Sequence, residues 1–440
     1  MVNAQSKDTA NSVQLTNSED YKNTLTLQLD DKLLFPSHRP DRVILNLTED
    51  PLHSVAVNWR TDTSIASGNV EIAEATDGQH FLQNTHKVKA MSEYLKVSYP
   101  EEPDVEAHYH SAIIDGLTPG NTYLYRVGLG AYYSEWFQFT MPDPEEQGLS
   151  FLYLGDAQNE VKSQWSRVFR EAYKTLPNAD FILHPGDLVN RGNRDIEWGE
   201  WFYAGGFIHA NIPSLMVPGN HEYGKDMVLA PQWKAQFNLP DNGPNDLKET
   251  CYQVNFPALK ILTLDSDQID ESNVYLKSQL YWMDSVLKHD PREWIILMLH
   301  HPFYSTKSNR DNSRLREHFK PLIDQYGIDL VLQGHDHGYG RGMVSKAQKA
   351  ENLKAQNEEV GTMYVVSVSG PKMYDVLNEP WMHRKAENIQ FFHTITIKGK
   401  ELVFKSFTAK GELYDAFHLL KEKGKSNILV NKIPDTPEER

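Results

Sequence analysis

The chain has 440 residues, of which 40% are hydrophobic and 24% charged, with 44 Lys plus Arg against 60 Asp plus Glu and a formal charge of −16. At about 100–200 residues per domain there is room for two or three domains with cores of their own, which excludes a largely disordered chain. The acidic balance argues against a long nucleic-acid polyanion as partner, although a small phosphate ester inside a cleft is compatible with it. The lone cysteine, Cys251, excludes an internal disulfide and a thiolate-built zinc site. The longest apolar stretch, Trp294 to Leu299, is far short of the roughly 20 residues that a membrane-spanning helix needs.

In chain order, residues 1–22 read as a polar tail without the apolar core of a signal peptide. Two expectations follow for location: a periplasmic or secreted protein whose leader has been trimmed, or a cytoplasmic one. Between 38 and 142 the pattern is one of short alternating strands: Val43–Leu47, Ser54–Trp59, Asn69–Ile72, Leu95–Ser98, His108–Ile114, Thr122–Val127 and Glu135–Thr140. About seven such strands with turn signals predict an all-β sandwich of immunoglobulin or fibronectin type III kind. Met141–Gly148, with two prolines, a glycine and three acids, predicts a linker.

From 148 to 420 the grammar changes to apolar strand runs alternating with helix-length amphipathic segments, the mark of an α/β layer fold. The predicted strands are Phe151–Leu154, Phe181–His184, Ser214–Val217, Ile261–Leu264, Trp294–Leu299, Leu330–Leu332 and Tyr364–Val368. Helices are predicted near 160–176, 273–289 and 312–326, the last closed by Gly327. A terminal hairpin is expected over Phe391–Phe407, and residues 421–440 read as a charged, frayed tail. His184 is expected to be a satisfied core histidine, and the aromatic group Trp198, Trp201, Phe202, Tyr203 and Phe207 to be core.

Five of these strands end in residue types that bind metals: Gly155-Asp156-Ala157-Gln158, Gly186-Asp187 running on to Asn190-Arg191-Gly192, Gly219-Asn220-His221-Glu222, His300-His301-Pro302, and Gly334-His335-Asp336-His337. Ligands of open α/β sheets gather at the carboxyl ends of strands, so five separate loops can converge on one crevice. A Gly-Asp pair or a His-His pair alone is more often structural than a site, and only His335-x-His337, whose imidazoles share a face, is as readily one as the other. Their joint occurrence at successive strand ends is what points to metal chemistry.

This order of motifs resembles the calcineurin-like binuclear metallophosphoesterases, and the preceding sandwich resembles the purple acid phosphatase branch. The resemblance implies a four-layer αββα metallophosphoesterase domain behind the sandwich, and two divalent transition metals, iron, manganese or zinc. It implies Asp187 as the carboxylate shared by both ions, Asp156 and His337 on the first, and Asn220, His300 and His335 on the second. His221 would protonate the leaving group, and Arg191, His301 and Asn190 would meet the substrate. For His301 a hydrogen-bonding partner behind the ligands is an equal alternative, and for Arg191 a surface ion pair. Two positions depart from the family. Asn190 stands where purple acid phosphatases carry the tyrosine that colours ferric iron, and Gln158 where other members carry a histidine. The first metal therefore loses two ligands, with Gln158 left as a candidate oxygen donor.

The implied function is hydrolysis of phosphate esters, monoesters first, by metal-bound hydroxide. A phosphodiesterase or nucleotidase of the same fold is the alternative, and a binding or adhesion protein with a vestigial hydrolase domain a remote one.

Overall fold

The computed structural model describes residues 30–345, 361–422 and 427–438. The polar tail expected over 1–22 lies outside the described residues. The segment Met141–Gly148 carries neither strand nor helix, but the two modules it joins are not separate in space.

One eleven-stranded sheet runs through both. Its centre is three parallel strands, Leu149–Tyr153, Phe181–His184 and Ser214–Met216. On one side the hairpin Phe391–Lys398 and Glu401–Thr408 continues it, then Leu413–Leu420 and Ile428–Asn431. On the other side Asp41–Leu47 pairs in parallel with Ser214–Met216 and leads on to Val55–Thr61, Val105–Ile114 and Met91–Val97. A five-stranded sheet containing Asn69–Glu74 and Thr122–Leu129 closes the N-terminal sandwich over Val55, Val57, Trp59 and Tyr125.

The second sheet of the α/β module has seven strands. Leu259–Thr263, Trp294–Met298, Leu330–Gln333 and Gly361–Val366 lie parallel at its centre. Their side chains alternate between two cores, as a strand's period of two dictates. Ile261, Ile296, Leu332 and Val365 face the first sheet, while Leu262, Leu297, Val331 and Tyr364 face the helices Asn273–His289 and Ser313–Tyr326. Both faces are therefore buried, which explains the uninterrupted apolar runs in the sequence. Helices Ser166–Thr175 and Asp195–Gly205 cover the outer face of the first sheet through Phe169, Trp198 and Trp201. The result is the four-layer αββα arrangement. Ser313–Tyr326 ends at Gly327 with φ of +65°, the left-handed cap that glycine adopts without strain.

Three expectations need correction. Residues 428–431 are not frayed, because they form the edge strand of the large sheet. Tyr203 and Phe207 are exposed, unlike Trp198, Trp201 and Phe202. His184 is fully buried, but neither of its ring nitrogens has a hydrogen-bond partner, so it is not satisfied.

A shared buried charge cluster locks the modules together. Arg42 and Arg60, from the sandwich strands, both bond Asp195 at the start of its helix, at 2.7 and 3.1 Å. The hydroxyl of Tyr125 donates to the Ala210 carbonyl at 2.6 Å across the same junction.

Candidate metal centre

Each candidate residue lies just beyond the carboxyl end of a parallel strand, so the two facing sheets deliver their loops to one edge. Asp156, Asp187, His335 and His337 all have positive φ, at +32°, +52°, +72° and +46°. Asp and His tolerate this region better than most residues, yet each instance still carries strain that the surroundings must hold. Close packing does so. A Cβ at Gly334 would sit 2.3 Å from an Asp156 oxygen, and one at Gly219 would sit 2.3 Å from Asp187 Oδ1. Glycine is required there by space.

Two groups of donors form, sharing Asp187. Asp187, His300 and His335 offer ligand atoms within 4.8 Å of one another, as do Asp156, Asp187 and His337. In the second-metal group His300 Nδ1–H donates to the Pro185 carbonyl at 2.9 Å. Its Nε2 is thereby turned inward, 3.3 Å from Asp187 Oδ2, 3.3 Å from Asn220 Oδ1 and 3.1 Å from His335 Nδ1. Atoms facing one another at this range need a positive charge among them, either a proton on His300 Nε2 or a cation in its place, and the set of ligand atoms suits a divalent transition ion. These residues fit the group. Burial alone would lower the His300 imidazole, but the Asp187 carboxylate beside it raises it to about 10. For Asp187 burial acts upward, and His300 and His221 overcome it to hold the carboxyl well below its usual range.

In the first-metal group Asp156 accepts the His335 backbone N–H on both oxygens at 2.9 Å. Burial pushes its carboxyl up to about 8, with His300 opposing and Asp187 adding to the rise. His337 Nδ1–H donates to the Lys372 carbonyl at 2.9 Å, so its Nε2 faces the site. Here Gln158 intervenes. Its amide nitrogen, not its oxygen, is turned inward, 2.5 Å from Asp187 Oδ2 and 3.1 Å from His337 Nε2.

The remaining candidates fall around this pair of groups. His221 donates its backbone N–H to Asp187 Oδ1 at 3.0 Å. Its ring Nδ1–H donates to Asn190 at 2.6 Å, to the backbone carbonyl rather than the side chain. Its Nε2 lies 3.9 Å from Asp187 Oδ2, and the side chain is 25% exposed. His301 packs 4.2 Å from the His335 ring and bonds Ser266 Oγ through Nδ1 at 2.9 Å. Burial, with His300 adding, pushes it down to about 3. Arg191 is 49% exposed, with its guanidinium 3.8 Å from Glu197.

Three residues that position this site drew no assignment from the sequence. Asp336, between the two histidines of its motif, accepts from Ser305, Thr306 and Arg310 at 2.6, 2.7 and 2.7 Å and fixes the loop from behind. Arg310 also donates to the His335 carbonyl at 2.9 Å. Lys372 donates to Gln158 Oε1 at 3.3 Å. Asp336 carried a signal, since it alternates with His335 and His337 and must point the other way. Arg310 and Lys372 carried none.

A family model described as calcineurin-like phosphoesterase matches residues 149–339, and one described as purple acid phosphatase, N-terminal domain matches residues 40–141. The chain therefore carries a calcineurin-like phosphoesterase domain behind a purple acid phosphatase N-terminal domain. Among similar proteins, the chain is 27% identical over 266 residues to acid phosphatase type 7 of Danio rerio, covering 53% of this chain and 57% of that protein. It is 22% identical over 313 residues to probable purple acid phosphatase 20 of Arabidopsis thaliana, covering 69% of each. The solved purple acid phosphatase PPD1 from yellow lupin shares its fold, with a TM-score of 0.72 at 17% identity over 88% of this chain and 75% of that one. Among the described residues no helix is long and apolar enough to cross a membrane.

Proposed function

We propose that the chain hydrolyses phosphate esters, monoesters first, at the group formed by Asp187, Asn220, His300 and His335, with His221 as the proton donor. The observation that carries this reading is the inward convergence of Asp187 Oδ2, Asn220 Oδ1 and His335 Nδ1 on His300 Nε2, with the His221 imidazole beside them. The residues would hold divalent iron, manganese or zinc, which when bound supplies a Lewis acid for phosphoryl oxygens and the means to activate water near neutral pH.

The chain's own groups do the rest. The Asn190 carbonyl holds the His221 proton on Nδ1, so Nε2 is the atom that gains and gives a proton toward the site. Asp187 anchors that histidine through its backbone N–H and is itself shared by both donor groups. For Arg191 to hold a phosphate it must first leave Glu197. Asp156 and His337, with the shared Asp187, form the first-metal position, which lacks the two ligands the family carries there.

The test is turnover of a panel of monoesters, diesters and sugar phosphates with defined metals, together with a leaving-group series in His221→Ala. If His221 protonates the departing oxygen, alkyl esters lose about 10²–10⁴-fold and activated aryl esters much less. An equal loss across the series, with metal content unchanged, would refute the acid role. Faster turnover of diesters would replace the monoester assignment. A chain that takes up no metal from any of the defined ions and hydrolyses nothing would favour a binding protein.

A further inference from the structure

The first-metal group holds a complete hydrogen-bond circuit among protein groups alone. Asp187 can only accept, and the Gln158 amide nitrogen meets its Oδ2 at 2.5 Å. His337 has committed its Nδ1–H to the Lys372 carbonyl, so its Nε2 also accepts, and the same amide nitrogen lies 3.1 Å away. On the far side the Gln158 oxygen takes the Lys372 ammonium, which can only donate, at 3.3 Å. The two amide hydrogens and the carbonyl are all satisfied, and Gln158 is fully buried. Turning the amide over would set its oxygen against a carboxylate oxygen and an imidazole lone pair, and its N–H against an ammonium. All three contacts would become repulsive. The neighbours therefore fix the orientation, and in it Gln158 presents no oxygen to an ion.

We propose that Gln158, clamped by Lys372, is an amide plug in the first-metal position, so that the chain binds one ion tightly and admits a second only when the amide turns away. This rests on the phosphoesterase reading for the second group and corrects the expectation that Gln158 is an oxygen donor. The bond from Lys372, at 3.3 Å, is the one contact that holds the amide oxygen away from the site. Removing that ammonium takes away one of the three contacts, so that an incoming cation can more easily draw the oxygen inward, whereas a histidine at position 158 replaces the plug by an imidazole.

The test measures metal stoichiometry, with Mn²⁺ and Zn²⁺ as probes, on the full chain after gel filtration and by calorimetric titration. Wild type is expected to retain about one ion per chain. Gln158→His is expected to retain two. Lys372→Met should strengthen the weak step by on the order of 10–100-fold, the range over which residues behind metal ligands act. Two tightly held ions in wild type would overturn the plug while leaving the phosphoesterase reading intact. A single ion in Gln158→His, with the fold retained by circular dichroism, would also overturn it. No ion in wild type at any concentration would overturn the phosphoesterase reading and the plug with it.

Discussion

Glu222 is the residue whose replacement tests how the centre is held. It is fully buried and bonds four backbone N–H groups. Its Oε2 accepts from Asp187 and Gly219 at 2.9 and 2.7 Å, and its Oε1 from Leu188 and Val189 at 2.9 and 3.3 Å. One carboxylate thus clasps the Asp187 loop to the Asn220 loop. Glu222→Gln keeps the shape but turns one acceptor into a donor, so two backbone N–H groups must face an N–H₂. A buried donor left unpaired costs about 1–3 kcal/mol, which puts the loss at about 2–6 kcal/mol for the pair. That is a large share of the roughly 5–15 kcal/mol by which domains are stable. Because the stranded groups adjoin Asp187 and Asn220, metal affinity should fall as well, by about 10–100-fold. Urea unfolding of metal-free protein reads the first effect, and calorimetric Zn²⁺ titration the second. A stability change within about 0.5 kcal/mol, as for an ordinary surface substitution, with unchanged affinity would show that the clasp holds neither loop.

Other outcomes follow from the same structure. Asp187→Asn removes the anion common to both donor groups, so bound metal and turnover should fall together; near-normal turnover with metal retained would contradict the shared role. Asp195→Ala leaves Arg42 and Arg60 buried without their common carboxylate, and should cost about 3–5 kcal/mol in a denaturant melt. His184, His209 and His393 are pushed down to about 3 by burial, each far below the roughly 6.5 of an unfolded histidine. Between those values the unfolded chain binds protons that the folded one refuses, so stability should be full above pH 6.5 and fall as the pH drops. The slope is up to about 1.4 kcal/mol per pH unit for each histidine, and a flat urea midpoint from pH 7 to 5 would contradict it.

Much of the fold was readable because the local signals agreed. The run Trp294–Leu299 is apolar throughout because both faces of its strand are buried, and the helix Asn273–His289 falls where its periodicity places it. The metal-type residues were readable because all stand at strand ends, and Asp156, Asp187, Asn220 and His335 each follow a glycine where space forbids a side chain. What escaped was set by distant partners. Nothing near Asn46 announces its pairing with Ser214, and the edge strand Ile428–Asn431 is hidden in charged surroundings. The residue type at 158 showed that a ligand was missing. Its orientation depends on Lys372, 214 residues away, and no reading of spacing supplies that.

The continuous sheet also bears on how the chain is made. The parallel neighbour of Asp41–Leu47 begins at Ser214, 168 residues beyond Asn46. At about 5–20 residues per second, a ribosome needs roughly 10–30 s to supply it. Throughout that interval the nascent sandwich presents an apolar strand with one row of amides and carbonyls open to any other strand. Such a chain depends on its own later segments to close an early vulnerability, and a fragment ending before Ser214 would carry that open edge permanently.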